Sequence, residues 1–337
     1  MNTVNPVKPM HIAVAGEALI DLIGQPNGTF LPCLGGAPYN LARALARQNV
    51  GTLYLNPLSG DRFGRQLAQQ LVQDGVQLAH AQAVTQPTAL AVVSLDDQGH
   101  PDYAFYREGV ADREVTTQAL NQACAAQPTL QLVCTGGLAL DPRDAGVYLP
   151  WLAAQRTAGR CVVVDANLRP SVMADLPAYR AHVLATLAFA DLIKVSDEDL
   201  VHLGWEGTDP LVAARALLQQ SQAAMLVLTM GAAGAWLLTA QGHYHAREAD
   251  ALVIADTVGA GDCFLAGFLA ALMTMDLPAV SAMSAHAFLS GLPGEQARGL
   301  LRHALASASL CVQRPGCVPP SWSECIAWSQ QHAALTA

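Results

Sequence analysis

Apolar positions along this chain fall into two alternating rhythms. Short runs rich in Val, Ile and Leu, such as QLVCTGG, RCVVVDANLRP, DLIKVS and AMLVLTMG, each end on Gly, Asp, Ser or Arg. They are apolar on both sides of a period-two repeat, as strands buried on both faces are. Earlier, HIAVAGEALIDLI reads as one strand continuing past Gly16, and TLYLNPLSG as another. Between the runs lie helical patterns: GGAPYNLARALARQN, with Pro38 suited to its first turn, then DRFGRQLAQQLVQDG, PAYRAHVLATLA and PLVAARALLQQ. Repeated strand–helix units predict an α/β fold, a mostly parallel sheet covered by helices. Ligands of such sheets gather at the carboxyl ends of the strands, so the polar residues that end these runs share one rim.

Two stretches break the rhythm. TALAVVSLDDQGHPDYAFYRE has two extended arms around a turn, and the segment around QPNG, up to TFLPCLGG, makes a similar excursion. Together they predict a small second β-sheet, a lid with elements near 20–34 and 88–107. The expected organisation is a single domain over 11–325 carrying that lid. Residues 1–10, MNTVNPVKPM, form a tail without the charge and apolar pattern of a signal peptide.

Composition narrows the chemistry. Of 337 residues 52% are hydrophobic, 13% charged and 6% aromatic, and the net charge is −9. With no basic run, neither nucleic acid nor a membrane surface is an expected partner. The apolar run from Thr257 to Met275 contains Asp262 and reads as a buried core helix. The eight cysteines form no C-x-x-C pair, which predicts a reducing cytoplasm with neither a metal cluster nor a disulfide framework. His243 and His245 alternate on a predicted surface strand and lack a third ligand. Lys8 and Lys194 are the only lysines, so a Walker A loop is excluded. A dinucleotide fingerprint fails as well, because Phe264 stands where its third glycine should be.

What remains is DTVGAGDCF, Asp256 to Phe264: small residues opening an apolar helix, with a carboxylate among them. Converging backbone N–H groups at a helix N-terminus make an anion site that needs no lysine. Asp262 would repel a resting anion. Either it accepts a proton from a nucleophile while the N–H groups hold a phosphoryl group, or it caps the helix.

DTVGAGD resembles the C-terminal signature of the ribokinase-like, or PfkB, carbohydrate kinases, and GGAPYNLARALA from Gly35 resembles their N-terminal signature. Order and separation agree over roughly residues 11 to 320. The resemblance implies a ribokinase-like fold and transfer of the γ-phosphate of ATP to a sugar hydroxyl. Asp262 would be the catalytic base, and Gly259, Ala260 and Gly261 the anion turn. Sugar contacts carry over to Asp21, Gly35, Gly36, Asn40, Phe105, Arg107 and Arg169. Nucleotide contacts carry over to Lys194, Ser196, Thr229, Gly231 and Gly234. KVSDED stands where relatives carry N-x-x-E, so Asp199 or its neighbour Glu198 would serve Mg²⁺, directly or through water. Asp256 would anchor the turn or hold a monovalent cation such as K⁺.

Within the family, GEALIDL, FYREGVADREV and DANLRP look most like fructokinases. Kinases of 2-keto-3-deoxygluconate carry similar arginines, and Arg107 with Arg169 could clamp a carboxylate or donate to sugar hydroxyls. A non-catalytic sugar or nucleotide sensor on the same fold is the reading from another class; it has no need of the GAGD carboxylate. Relatives often dimerise through the lid strands, so a homodimer is expected.

Overall fold

In a computed structural model, residues 9–25, 27–95, 101–275 and 282–336 are described. Strands in chain order are β1 (Ile12–Val14), β2 (Leu19–Gly24), β3 (Phe30–Gly35), β4 (Thr52–Tyr54), β5 (Gln77–Leu78), β6 (Ala89–Leu95) and β7 (Pro101–Tyr106). There follow β8 (Leu132–Gly136), β9 (Cys161–Asp165), β10 (Leu192–Ser196), β11 (Met225–Thr229), β12 (Ala235–Thr239), β13 (Gly242–Glu248) and β14 (Ala334–Thr336). The large sheet has the order β14-β13-β12-β11-β10-β9-β8-β1-β4-β5. It is parallel from β5 through β11 and antiparallel from β11 to β14.

Side-chain alternation explains the two covered faces. On β9, Cys161 and Val163 enter one core while Val162 and Val164 enter the other. On β11, Met225 and Val227 divide from Leu226 and Leu228 in the same way. Helices Ala37–Arg47, Ala260–Leu272 and Gly294–Val312 bury residues in the first core. Helices Thr117–Ala125, Ala145–Thr157, Leu176–Leu187 and Pro210–Ser221 do so in the second. Helix Ala260–Leu272 is buried nearly all round, as its uniform hydrophobicity predicts. Among the described residues, no helix is long and apolar enough to cross a membrane.

The run HIAVAGEALIDLI is two strands, not one. At Gly16 the backbone turns with φ +143°, and a Cβ there would strike Pro38 at 2.4 Å. Asn56 Oδ1 accepts the Gly16 N–H (2.8 Å) and the Tyr54 hydroxyl donates to its carbonyl (2.7 Å), which pins the break. The chain then leaves the large sheet for a small one of order β3-β2-β6-β7. Hairpins β2–β3 and β6–β7 are joined there by parallel pairing of β2 with β6, so both excursions belong to one sheet. The DDQGHP turn lies outside the described residues except for Pro101.

His243 and His245 lie on β13. Arg215 meets His243 Nδ1 at 3.1 Å, and the His245 ring stacks on Trp236 with centroids 4.4 Å apart. They are packing residues of the antiparallel edge.

Candidate active site

Gly259 opens helix Ala260–Leu272 with φ +76°, a conformation that favours glycine. A Cβ there would also lie 2.2 Å from Cys317 Sγ, so both backbone and space demand glycine. No side chain caps this helix, which removes the capping reading of Asp262. Asp262 sits in the first turn, 7% exposed, and accepts a hydrogen bond from Asn40 Nδ2 at 2.9 Å. Burial, then the Asp165 charge, push its carboxyl up to about 7, against the pull of Asn40, Lys194 and Arg169. Such a group exchanges protons near neutrality. The Asn40 Oδ1 is buried without a hydrogen-bond partner.

Under this turn lies a buried ion pair. Asp165 and Lys194 are register partners on the parallel strands β9 and β10, so their side chains share a face and must meet. Lys194 Nζ lies 3.0 Å from Asp165 Oδ1, and a Cβ on Gly261 would come within 3.1 Å of that Nζ. Burial works against the ammonium, but Asp165, Asp199 and Asp262 outweigh it and raise its pKa. Lys194 is therefore held inside the wall beneath Gly261.

Asp199 is similarly committed. It forms a capping box with Ser196: Ser196 N–H donates to Oδ2 (2.8 Å) and Asp199 N–H to the Ser196 hydroxyl (3.0 Å). Its Oδ1 accepts the Leu168 N–H at 2.7 Å, which fixes the loop after β9 that carries Arg169. Glu198, one residue before, is exposed.

The small sheet supplies the opposite side. Asp21 on β2 lies so close to Gly35 that a Cβ there would meet its Oδ2 at 2.1 Å. Burial raises the Asp21 carboxyl to about 6, while the Arg169 charge draws it down. Arg169 also lowers the pKa of Asp165 and Asp262, so a single guanidinium acts on acids from both sheets. Gly36 begins helix Ala37–Arg47 at φ +106° and accepts the Asn40 N–H at 2.9 Å, which orients Asn40. Phe105, half-buried on β7, packs on the cluster of Leu19, Ala89, Ala91, Val110 and Leu138.

Arg107, carried over as a sugar contact, is enclosed among acids. It is 6% exposed, lies 3.7 Å from both Asp112 and Asp141, and donates to the Leu138 carbonyl at 3.3 Å. Its charge also lowers the pKa of buried Glu17, which burial raises. Asp112 follows Arg107 closely in the same FYREGVADREV stretch, but Glu17 and Asp141 are distant in the sequence, so the motif alone did not announce that the guanidinium would be enclosed.

Thr229 ends β11 beside Ser196, its register partner on β10. Gly231 (φ +50°) and Gly234 (φ +89°) frame the turn that follows. A Cβ on Gly234 would strike the Ala246 carbonyl at 2.2 Å, so close packing on β13 alone requires that glycine, whereas Gly231 faces open space. Asp256 accepts Val258 N–H (3.0 Å) and Gly316 N–H (2.8 Å), one on each oxygen, and ties the GAGD turn to the RPGC turn.

Sequence reasoning missed Asp165 and Glu17. Asp165 ends one of the rim-forming runs, and that position was its available signal. Nor did the spacing of the cysteines indicate that the sulfurs of Cys263, Cys311 and Cys317 all lie within 4.8 Å of one another.

The model of the family described as "pfkB family carbohydrate kinase" matches residues 10–324. The chain is 32% identical over 268 residues to a fructokinase of Salmonella typhimurium, covering 79% of this chain and 85% of that protein. It is 33% identical over 269 residues to a fructokinase of Rhizobium leguminosarum bv. trifolii, covering 77% and 79%. Its fold is similar to the crystal structure of a Xylella fastidiosa fructokinase with bound ATP, with TM-score 0.81 and 27% identity, covering 95% of this chain and 98% of that one.

Proposed function

We propose that this chain, which belongs to the pfkB family of carbohydrate kinases, transfers the γ-phosphate of ATP to a primary hydroxyl of fructose, with Asp262 as the base. The observation that carries the reading is the Asp262 carboxyl: buried, hydrogen-bonded to Asn40, at the start of an uncapped helix, with its pKa raised to about 7. A sensor that only binds sugar gains nothing from such a carboxylate.

In this mechanism the sugar lies between the small sheet and the rim of the large one. Asp21 and Asn40 bind its hydroxyls, Gly35 and Gly36 let the backbone approach, Phe105 lines the wall and Arg169 donates from the loop after β9. Asp262 takes the proton of the attacking hydroxyl, and the Lys194–Asp165 pair beneath it sets the local field. Backbone N–H groups of Gly259, Ala260 and Gly261 stabilise charge on the transferring phosphoryl group. ATP lies over Ser196, Thr229, Gly231 and Gly234. Lys194 acts on the phosphates only through the turn above it.

The exposed carboxylate of Glu198, beside Asp199, is a hard oxygen donor suited to Mg²⁺ through water. The ion supplies charge neutralisation on the phosphates when bound. Asp256 has both oxygens on backbone N–H groups, which favours its role as anchor over direct ligation of K⁺.

The state of the two arginines favours fructose over 2-keto-3-deoxygluconate. A carboxylate clamp needs two available guanidinium groups, and Arg107 is already enclosed by Asp112 and Asp141. Arg107 then supports the base of the lid. All described cysteines are free thiols, in keeping with a cytoplasmic protein. Phe30 and Leu31, 50% and 52% exposed on the edge strand β3, suit pairing with a second copy. ADP release measured side by side with fructose, 2-keto-3-deoxygluconate, ribose and adenosine tests the assignment. Highest kcat/KM with fructose is expected; preference for the sugar acid overturns the substrate, and no release with any overturns the reading.

A further inference from the structure

Directly under the GAGD turn the chain brings together three thiols that no sequence motif connects. Cys263 follows Asp262 in the first turn of its helix, Cys311 ends helix Gly294–Val312, and Cys317 follows the RPGC glycine. Cys263 and Cys311 are buried and Cys317 is half-buried. Their sulfurs all lie within 4.8 Å of one another, and Cys317 Sγ also packs against Gly259, as the forbidden Cβ there shows. Cys311 Sγ lies 3.7 Å from the Val258 carbonyl oxygen.

We propose that Cys263, Cys311 and Cys317 form a three-thiolate site for a soft d10 cation, with zinc(II) as its simplest occupant. Zinc–thiolate bonds of about 2.3 Å place neighbouring sulfurs roughly 3.8 Å apart in a tetrahedron, within a small contraction of the observed cluster. An all-sulfur donor set selects thiophilic ions over Mg²⁺ or K⁺. The Val258 carbonyl or a water completes four-coordination. Binding converts each remaining S–H into an S–metal bond and releases its proton to solvent.

Three thiolates around a divalent ion carry one net negative charge, and two arginines flank the cluster. Arg43 donates to the Cys317 carbonyl at 3.3 Å and also pairs with Asp74 (2.7 Å), and Arg314 pairs with Glu324 (2.6 Å). The site is distinct from the oxygen-rich rim proposed for Mg²⁺. Its occupant would clamp the catalytic turn to the segment after helix Gly294–Val312.

The test uses the full chain, reduced and freed of metal, titrated with zinc(II) and, as a spectroscopic probe, cadmium(II). One ion per chain is expected, with a sulfur-to-cadmium charge-transfer band and a higher melting temperature. Cadmium should shield Cys263, Cys311 and Cys317 from alkylation while leaving half-buried Cys33 and the other buried cysteines unchanged, as mapped by peptide mass. Cys311→Ser and Cys317→Ala should each weaken binding roughly tenfold or more, since even outer-shell losses cost that much. The alkylation map on the wild type keeps the test decisive should a variant fail to fold. Binding that persists in folded variants, shielding of other cysteines, or no uptake by the reduced wild type overturns the site.

Discussion

Asp262 is a carboxylate whose surroundings disagree about its charge. Burial and Asp165 favour the protonated form, and Asn40, Lys194 and Arg169 favour the anion. A base must be deprotonated, so kcat/KM should rise with pH along an acidic limb near 7. Removing the Asn40 donor should move that limb to higher pH; an Asn40→Ala profile unchanged from wild type would separate Asn40 from the base. Stability carries the opposite sign. The folded pKa of about 7 lies above the ordinary 3.8, so the folded state holds the proton more tightly. Stability from this group is complete below about 4 and declines as pH rises through about 7. Melting temperature at pH 8 should therefore be higher in Asp262→Asn than in wild type. Sequence alone left Asp262 divided between base and cap, because both readings fit GAGD. The divide closes only when helix Ala260–Leu272 is seen to lack a side-chain cap and Asn40, far along the chain, is seen to reach the carboxylate.

At the scale of elements, the two arginines expected to act alike stand in different surroundings. Arg107 joins β7 to Asp112 and Asp141, while Arg169, on the loop after β9, draws down the pKa of Asp21 on β2. Arg107→Ala should chiefly destabilise the fold, by about 3 kcal/mol or more, because it leaves Asp112 buried without its ion-pair partner, although Asp141 keeps Arg143. Chemical denaturation measures that loss. Arg169→Ala should raise the KM for fructose with little change in melting temperature. An unchanged KM in Arg169→Ala would take β9 out of the sugar site. The strand–helix alternation of the sheet was legible because each buried strand is apolar on both faces. The break at Gly16 was not, since the apolar pattern runs on through GEALIDL, and only the contacts of Asn56, Tyr54 and Pro38 turn the chain. The Asp165–Lys194 pair lay between: once the strands are aligned in parallel, register alone brings the two together.

At the scale of the molecule, the proposed mechanism draws on acids from both sheets, Asp21 for binding and Asp262 for proton transfer. In that mechanism the closing of one sheet on the other would exclude water and protect ATP from hydrolysis. The two signatures, GGAPYN and GAGD, announced the family from opposite ends of the chain. The thiol cluster beneath the turn announced nothing, because its members are spread over the last third of the sequence and meet only through packing of helices Ala260–Leu272 and Gly294–Val312. The most direct test of the central claim is ADP release from fructose and ATP by purified Asp262→Asn beside wild type, with ATP binding measured on both. The account predicts retained ATP binding and a kcat lowered by roughly 10² or more, the usual contribution of a positioned base. A near-normal kcat in the folded variant would contradict it.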